Sequence, residues 1–141
     1  MPARRASAVW RGGLKNGAGR MRLGSGAFEG AYSFSTRFEE EPGTNPEELI
    51  GAAHAGCFSM AFAAGLERAG FSPESVATEA SVHLIKGESG FSIARIELRC
   101  EAKVPGIDGA AFAEEAESAK RNCPVSKALT GVEIELDARL V

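Results

Sequence analysis

The stretch that decides the fold runs from Gly43 to Phe62 and reads GTNPEELIGAAHAGCFSMAF. It opens with strong signals for the start of a helix, because Asn45 is a favoured N-cap and Pro46 suits the first helical position. Glu48 follows three residues after the cap, in the register of a capping box. The helical pattern continues until Gly70, a residue type that commonly follows the end of a helix. The sequence therefore predicts one long helix that begins at Pro46.

The predicted helix is apolar on all its sides, since His54 is the one polar ionisable side chain between Leu49 and Leu66 apart from the thiol of Cys57. A helix of this kind is usually buried on every side. Helical spacing places five residues on a common side, and they are Glu47, Ile50, His54, Cys57 and Ala61. A carboxylate, an imidazole and a thiol thus share roughly one face. Free cysteines often simply pack in a core, so Cys57 alone is open to a structural or a chemical interpretation.

Composition limits the class of protein. The 141 residues predict a single domain over positions 1–141, and 44% hydrophobic with 25% charged residues is typical of a globular protein. A net charge of −3 gives no electrostatic reason to expect nucleic acid or a membrane surface as partner. No apolar segment follows the basic N-terminus, and the long apolar helix is interpreted as a core helix rather than a membrane span. Three cysteines without an export signal predict a reducing cytoplasm.

The remaining elements predict an α+β fold. Residues 6–10 and 20–23 suggest a small antiparallel meander, and residues 28–38 are expected to be extended. A hairpin is predicted from residues 76–86 through a Gly-containing loop to a strand in which Ile96, Leu98, Cys100, Ala102 and Val104 alternate with charged residues. Short loops make parallel crossovers unexpected for most of the strands. Cys100 is interpreted as a packing residue.

A second helix is predicted from an N-cap at Asp108 toward Lys120, followed by a final strand over residues 132–140. Between them, Pro124 ends one helix and suits the start of another, which places Cys123 near a helix N-terminus. The N–H groups and dipole there favour a thiolate. The elements together predict antiparallel sheets around a buried central helix.

Three stretches closely resemble the OsmC/Ohr family, and more narrowly the branch named for osmotically inducible protein C. They are residues 43–62, the run VPGID at 104–108, and the run NCPVS at 122–126. The resemblance implies the OsmC-like α+β fold and an intertwined homodimer. It also implies a thiol-dependent peroxidase that reduces organic hydroperoxides, less well hydrogen peroxide, without a bound cofactor or metal. The disulfide would be reduced by a dithiol, and the resemblance implies a dihydrolipoyl protein.

The same resemblance assigns the catalytic residues. Cys57 would be the peroxidatic cysteine and Cys123 the resolving one, joined by a disulfide after oxidation, with Arg37 and Glu47 as polar partners of Cys57. Ten residues of helix separate Glu47 from Cys57, about 15 Å along the axis, so Arg37 is expected to bridge them. Phe38 and other apolar residues, among them Met60, are expected to surround an alkyl hydroperoxide. His54 has no settled role.

Three other interpretations remain open. A metal site could use His54 and Cys57, one turn apart, with Cys123 or His83, although zinc sites usually show tighter paired spacing. The chain could instead be a non-enzymatic redox sensor or a structural dimer of the same fold. A sulfur-transfer role would also need a cysteine of low pKa.

Overall fold

The computed structural model describes all 141 residues, and the backbone forms two compact units, Met1–Leu49 and Ile50–Val141. Six strands and four helices follow one another in the order β1 (Ala6–Arg11), β2 (Ala18–Leu23), β3 (Glu29–Tyr32), α1 (Phe34–Phe38), α2 (Pro46–Arg68), β4 (Ser75–Gly87), β5 (Gly90–Lys103), α3 (Gly109–Asn122), α4 (Pro124–Ala128) and β6 (Glu133–Leu140). This mixture of helices and two sheets confirms the α+β class. The expectation of one domain over residues 1–141 stays a prediction.

The predicted meander is confirmed in the first unit. Strands β1, β2 and β3 form an antiparallel sheet in sequence order, with Ala6 opposite Leu23 and Gly19 opposite Tyr32. The ring of Tyr32 approaches within 2.6 Å of the position that a β-carbon would take on Gly19. Only glycine therefore fits at this point of the middle strand.

The expectation of an extended chain is wrong for residues 34–38, which form helix α1. A capping box starts this helix: the Ser33 hydroxyl accepts from the N–H of Thr36 at 3.3 Å, and the Thr36 hydroxyl accepts from the N–H of Ser33 at 2.9 Å. Thr36 stands here in place of the Glu or Gln usual at this position, and the signal was therefore overlooked. This short helix carries Arg37 in its last turn.

Helix α2 begins and ends where the sequence predicts. The side chain of Asn45 accepts from the N–H of Glu48 at 2.8 Å, which confirms it as the N-cap. At the other end Gly70 has a positive φ of 93°, and the N–H of Phe71 bonds to the carbonyl of Leu66 at 2.9 Å. This is a common C-terminal arrangement that satisfies the last carbonyl groups.

The second unit contains a sheet with the order β4-β5-β6. The predicted hairpin between β4 and β5 is confirmed, with Gly87 paired to Gly90 and an irregularity between His83 and Leu84. Strand β6 runs parallel to β5, with Ile96 opposite Ile134, so the expectation of antiparallel sheets does not hold for this pair. The connection contains α3 and α4, and it is long enough for a crossover.

One core joins α2, β5 and α3 within the second unit. Its members are the fully or nearly fully buried side chains Phe58, Phe62, Leu66, Ile96, Leu98, Cys100, Ala102, Val104, Ile107, Phe112, Ala116 and Ala119. The ring of Phe62 lies 5.7 Å from that of Phe58 and 5.3 Å from that of Phe112, measured between centroids. Cys100 is 0% exposed on β5, which confirms the predicted inward position.

Helix α2 has one face buried within this chain, whereas the sequence predicted burial on every side. His54, Phe58 and Phe62 are 0% exposed, whereas Met60 is 77% exposed. The exposed face also carries Ala52, Ala53, Gly56 and Ala64. The helix is long and apolar enough to cross a membrane, with a mean hydropathy of 1.5, and 33% of that window is buried. Its aromatic side chains pack in the protein's own core, which supports the interpretation as a core helix.

Candidate active site

Two free thiols meet in the second unit. The Sγ atoms of Cys57 on α2 and Cys123 before α4 lie 2.8 Å apart, although 66 residues separate them in the sequence. Cys123 is fully buried, whereas Cys57 is partly exposed. A solute therefore has access to Cys57, and Cys123 lies directly behind it. The pair is close enough to form a disulfide with little movement.

The backbone around Cys123 is fixed by two helices. Its N–H bonds to the carbonyl of Ala119 at 2.9 Å, which ends α3, and its carbonyl accepts from Lys127 at 3.0 Å, which starts α4. Pro124 occupies the first position of α4, as predicted. Cys123 is thus the C-cap of one helix and the N-cap of the next, and its backbone has little freedom to move.

The two sulfurs have different pKa values because their surroundings differ. Burial raises the pKa of Cys57, and its hydrogen bond with Cys123 raises that pKa further. The N–H of Val125 lowers it, but the net shift is upward. Burial also raises the pKa of Cys123, but the hydrogen bond with Cys57, the N–H and hydroxyl of Ser126 and the N–H of Val125 outweigh burial and lower the pKa overall. The side chain of Cys123 makes no capping hydrogen bond with the first turn of α4.

The geometry assigns Cys123 as the donor of the bond between the two thiols, and either sulfur can take that role. The pKa directions mean that Cys123 loses its proton more readily than Cys57. The lowered pKa that was expected for Cys57 does not arise from its neighbours in the second unit. Its expected source, the guanidinium of Arg37, belongs to the first unit. The bridging role of Arg37 toward Cys57 stays a prediction.

Arg37 and Glu47 form a two-pronged ion pair within the first unit. The Nε and Nη2 atoms of Arg37 donate to the two carboxylate oxygens of Glu47, each at 3.0 Å. Glu47 is 8% exposed and stands in the first turn of α2, where a carboxylate is favoured by the helix dipole. The amide of Asn45 donates to the carbonyl of Thr36 at 3.1 Å and thereby ties α1 to the start of α2. The predicted partnership of Arg37 and Glu47 is present.

An aromatic cavity of about 240 Å³ lies beside Arg37 in the first unit. Its lining consists of Trp10, Leu14, Tyr32, Ser33, Phe34, Arg37 and Phe38. The rings of Trp10 and Tyr32 are 5.3 Å apart and those of Phe34 and Phe38 are 4.9 Å apart. Phe38 was expected here, whereas Met60 does not line this cavity. Trp10 and Phe34 were missed, because they belong to separate short elements whose packing the sequence does not show.

His54 contacts a residue that the sequence analysis did not single out. Its Nε2 lies 2.8 Å from the hydroxyl of Ser126 on α4. Both side chains are buried, and burial lowers the pKa of His54. The sequence holds one signal for this pair: His54 and Cys57 are three residues apart, and so are Cys123 and Ser126.

The residues considered for a metal site do not come together. His83 lies on the sheet beside Arg95 and Glu97, with Nε2 3.3 Å from each, and it is paired with neither cysteine. No group of three or more His, Cys, Asp or Glu side chains is arranged to hold a metal ion. Cys100 is confirmed as a core residue, and burial raises the pKa of its thiol.

Comparisons with known proteins agree in fold and sequence. The family model described as OsmC-like protein matches residues 38–137. The chain is 49% identical to "Peroxiredoxin OsmC" of Escherichia coli over 97% of its own length and 96% of that protein. It is 37% identical to the organic hydroperoxide resistance protein of Xanthomonas axonopodis over 63% of its own length and 61% of that protein.

Solved structures give the same result for the fold. The organic hydroperoxide resistance protein OhrB of Bacillus subtilis matches with a TM-score of 0.72 at 26% identity, over 96% of this chain and 98% of that one. An OsmC-like protein of Vibrio cholerae matches with a TM-score of 0.77 at 18% identity, over 98% and 99% of the two chains, and supports the fold alone. The predicted OsmC-like fold is confirmed.

Proposed function

This chain belongs to the OsmC-like protein family, as the sequence motifs indicated, and on that premise we propose that it is a thiol-dependent peroxidase of oxidative-stress defence that reduces organic hydroperoxides to alcohols. A peroxiredoxin and an organic hydroperoxide resistance protein are among its relatives. The observation that carries the proposal is the pair of free thiols 2.8 Å apart, one of them partly exposed and the other fully buried. This arrangement suits a two-cysteine peroxidase.

The proposed reaction has two steps. The thiolate of Cys57 attacks the distal oxygen of ROOH, the O–O bond breaks, and ROH leaves once the alkoxide takes a proton, so that Cys57 becomes a sulfenic acid. Cys123 then attacks the sulfur of that sulfenic acid, a disulfide forms, and hydroxide leaves as water after taking a proton. Exposure supports the order, because a hydroperoxide reaches the partly exposed Cys57 before the buried Cys123.

Arg37 and Glu47 complete the proposed catalytic set. Since burial raises the pKa of Cys57, a cationic group is needed to favour its thiolate. Arg37 has the chemistry for this role, because its guanidinium can hold Glu47 with two hydrogen bonds and still present a positive charge. Glu47 would keep the guanidinium in a fixed orientation.

The proposed substrate class follows from the aromatic cavity beside Arg37. An alkyl or aromatic group would bury apolar surface against rings such as those of Trp10 and Phe38. Hydrogen peroxide has no such group, so it would be the poorer substrate. The ratio of kcat/KM for cumene hydroperoxide to that for hydrogen peroxide tests this statement, and equal values would contradict it.

We also propose the assembly and partners. The exposed apolar face of α2 around Met60 suits burial against a second copy, in accord with an intertwined homodimer. The reductant would be a dithiol, most simply a dihydrolipoyl protein, and the compartment the reducing cytoplasm. The chain would act as a single domain of 141 residues. No nucleic acid, membrane or bound cofactor takes part in the proposed reaction.

The decisive experiment is a peptide map under non-reducing conditions after one equivalent of cumene hydroperoxide. A Cys57–Cys123 cross-link is expected in the wild type. Cys57→Ser should abolish turnover with a dithiol, whereas Cys100→Ala, a matched change at the buried core thiol, should leave turnover within about twofold at a stability cost of about 1 kcal/mol. Three unmodified thiols in the wild type would contradict the peroxidase mechanism and leave a sensor or structural role.

A further inference from the structure

We propose that the hydrogen-bonded pair of His54 and Ser126 positions Cys123 and stabilises its thiolate for the second step of the reaction. This inference deepens the proposed function and rests on it. Ser126 would act directly on the reacting sulfur, whereas His54 would be a positioning residue that acts through Ser126. Neither residue has a role in the mechanism derived above.

Two contacts join α2 to the start of α4, one between the two cysteines and one between His54 and Ser126. His54 and Cys57 are three residues apart on α2 and so share one side of that helix. Cys123 is the N-cap of α4, and Ser126 is the third residue of that helix. The Sγ atoms of the cysteines are 2.8 Å apart, and His54 Nε2 lies 2.8 Å from Ser126 Oγ. The second contact therefore fixes α4 against α2 one turn away from the thiols.

The surroundings of His54 determine which of its nitrogens carries the proton. The ring is 0% exposed, and burial lowers its pKa, so it is neutral at pH 7. Nδ1 has no hydrogen-bond partner, and Nε2 bonds to Ser126. A proton on Nδ1 would leave a buried N–H unsatisfied, which is costlier than a bare lone pair. We therefore assign the proton to Nε2, which donates to the Ser126 oxygen.

This assignment sets the direction of the Ser126 hydroxyl. Since its oxygen accepts from His54, its own hydrogen is available to a different acceptor. Ser126 is the third residue of α4 and Cys123 is the N-cap of that helix, so the proposal turns the free hydroxyl hydrogen toward the Cys123 sulfur. The side chain and N–H of Ser126 lower the pKa of Cys123, in accord with this direction. The titratable groups that face this sulfur are Cys57 and, through Ser126, His54. No Lys, Arg, Asp or Glu side chain is among the groups that shift its pKa.

The consequence concerns the fate of the sulfenic acid on Cys57. Disulfide formation needs Cys123 as a thiolate within reach of that sulfur, because the thiolate is the attacking species. A second hydroperoxide competes for the sulfenic acid and would oxidise it to a sulfinic acid. A lower pKa of Cys123 raises its thiolate fraction, and a thiolate held beside Cys57 favours disulfide formation over that second oxidation.

The first test needs no hydroperoxide. A pH titration of the ¹³Cβ signal of Cys123 in the reduced protein should show a pKa about one unit higher in Ser126→Ala than in the wild type, as expected for the loss of one hydrogen bond to a charged group. The control Ser118→Ala, at a partly exposed serine on α3, should leave the titration unchanged. An unchanged Cys123 pKa in Ser126→Ala would overturn the proposal.

The second test follows a single turnover with one equivalent of cumene hydroperoxide in the presence of dimedone, which traps sulfenic acids. Ser126→Ala and His54→Asn should form the disulfide about tenfold more slowly and give more trapped Cys57, with the first step unchanged. His54→Gln, whose amide can lie near the position of Nε2, should restore the wild-type rate. Equal disulfide rates in His54→Asn and His54→Gln would overturn the role of His54.

The two tests separate this inference from the proposed function. If the wild type forms no sulfenic acid, the peroxidase mechanism fails, and the titration alone decides whether Ser126 stabilises the Cys123 thiolate. If Ser126→Ala does not fold, as judged by circular dichroism, the comparison of His54→Asn with His54→Gln decides the outcome in its place.

Discussion

Cys57 and Cys123 illustrate how a few neighbours set the chemistry of identical side chains. Both thiols are at least partly buried, and burial alone would raise both pKa values. Cys123 nevertheless has a lowered pKa, because its hydrogen bond with Cys57, and after it the N–H and hydroxyl of Ser126, outweigh burial. Cys57 lies in the middle of α2, where backbone N–H groups are already used. Its activation therefore has to come from a charged side chain.

Arg37 is the side chain proposed for that activation. We expect Arg37→Ala to slow alkylation of Cys57 by about tenfold near neutral pH, because a pKa higher by one unit reduces the thiolate fraction by that factor. Arg37→Lys should recover only part of the rate, since an ammonium group cannot make both hydrogen bonds to Glu47. The rate of iodoacetamide labelling as a function of pH measures the effect.

The control is Arg20→Ala, which removes an exposed guanidinium that pairs with Glu29 at 3.7 Å on the first sheet. It should not change the labelling of Cys57. A pH profile for Arg37→Ala that coincides with that of the wild type would remove Arg37 from the mechanism.

His54 should make stability depend on pH. Its pKa is lowered in the folded protein by burial, so the unfolded chain binds a proton more readily. The free energy of unfolding therefore falls as the pH decreases below about 6.5, with a slope that approaches about 1.4 kcal/mol per pH unit. Urea unfolding at fixed protein concentration between pH 7.5 and 5.5 measures it. His54→Gln should lose this part of the slope, and an equal slope in both proteins would contradict the assignment.

At the scale of the element, the start of α3 shows how one cap helps to place the segment that carries Cys123. Asp108 has an extended backbone, and its carboxylate accepts from the N–H of Ala111 at 2.8 Å. The helix that it starts runs to Asn122 and ends at Cys123, with Phe112 and Ala116 packed in the core. The position of the Cys123 thiol thus depends on an element that starts at Asp108.

Replacing the cap should reduce stability by a small, defined amount. Asp108→Ala should lower the free energy of unfolding by about 1 kcal/mol, because an N–H in the first turn loses its partner. Asp108→Asn is the matched control and should change stability by much less, since its amide oxygen can also accept. Urea midpoints at constant slope measure both, and equal losses in the two variants would contradict a capping role.

At the scale of the whole molecule, helix α2 is the element on which both the core and the proposed dimer depend. One face of it supplies Phe58, Phe62 and Leu66 to the core, and the opposite face exposes small residues around Met60. Met60 is 77% exposed on a helix otherwise rich in Ala and Gly, and this apolar surface is the one proposed to pack against a second copy.

We expect Met60→Lys to shift the proposed homodimer toward monomer, because an unpaired charge in an apolar interface is costly to desolvate. Light scattering after size-exclusion chromatography measures the mass, expected near 14.7 kDa per monomer. Ala113→Lys, at an exposed position of α3, is the control and should stay dimeric. A Met60→Lys protein with the mass of a dimer would place the interface elsewhere.

Much of the fold was predictable because its signals are local. The cap at Asn45, the end at Gly70 and the alternation of β5 depend on neighbouring residues alone, and the structure confirms each of them. Helix α1 was missed because its capping box uses Thr36 instead of a longer side chain. The parallel pairing of β6 was missed because strand direction depends on where α3 and α4 pack.

The sequence by itself determined the α+β class, the limits of α2, the inward position of Cys100 and the family to which the chain belongs, since these follow from periodicity, caps and motifs. Only the tertiary structure decided which side chains meet across long separations. The approach of Cys57 to Cys123, the contact between His54 and Ser126 and the exposed face around Met60 all depend on helix packing. Packing is the result of the whole core, and no single stretch of sequence records it.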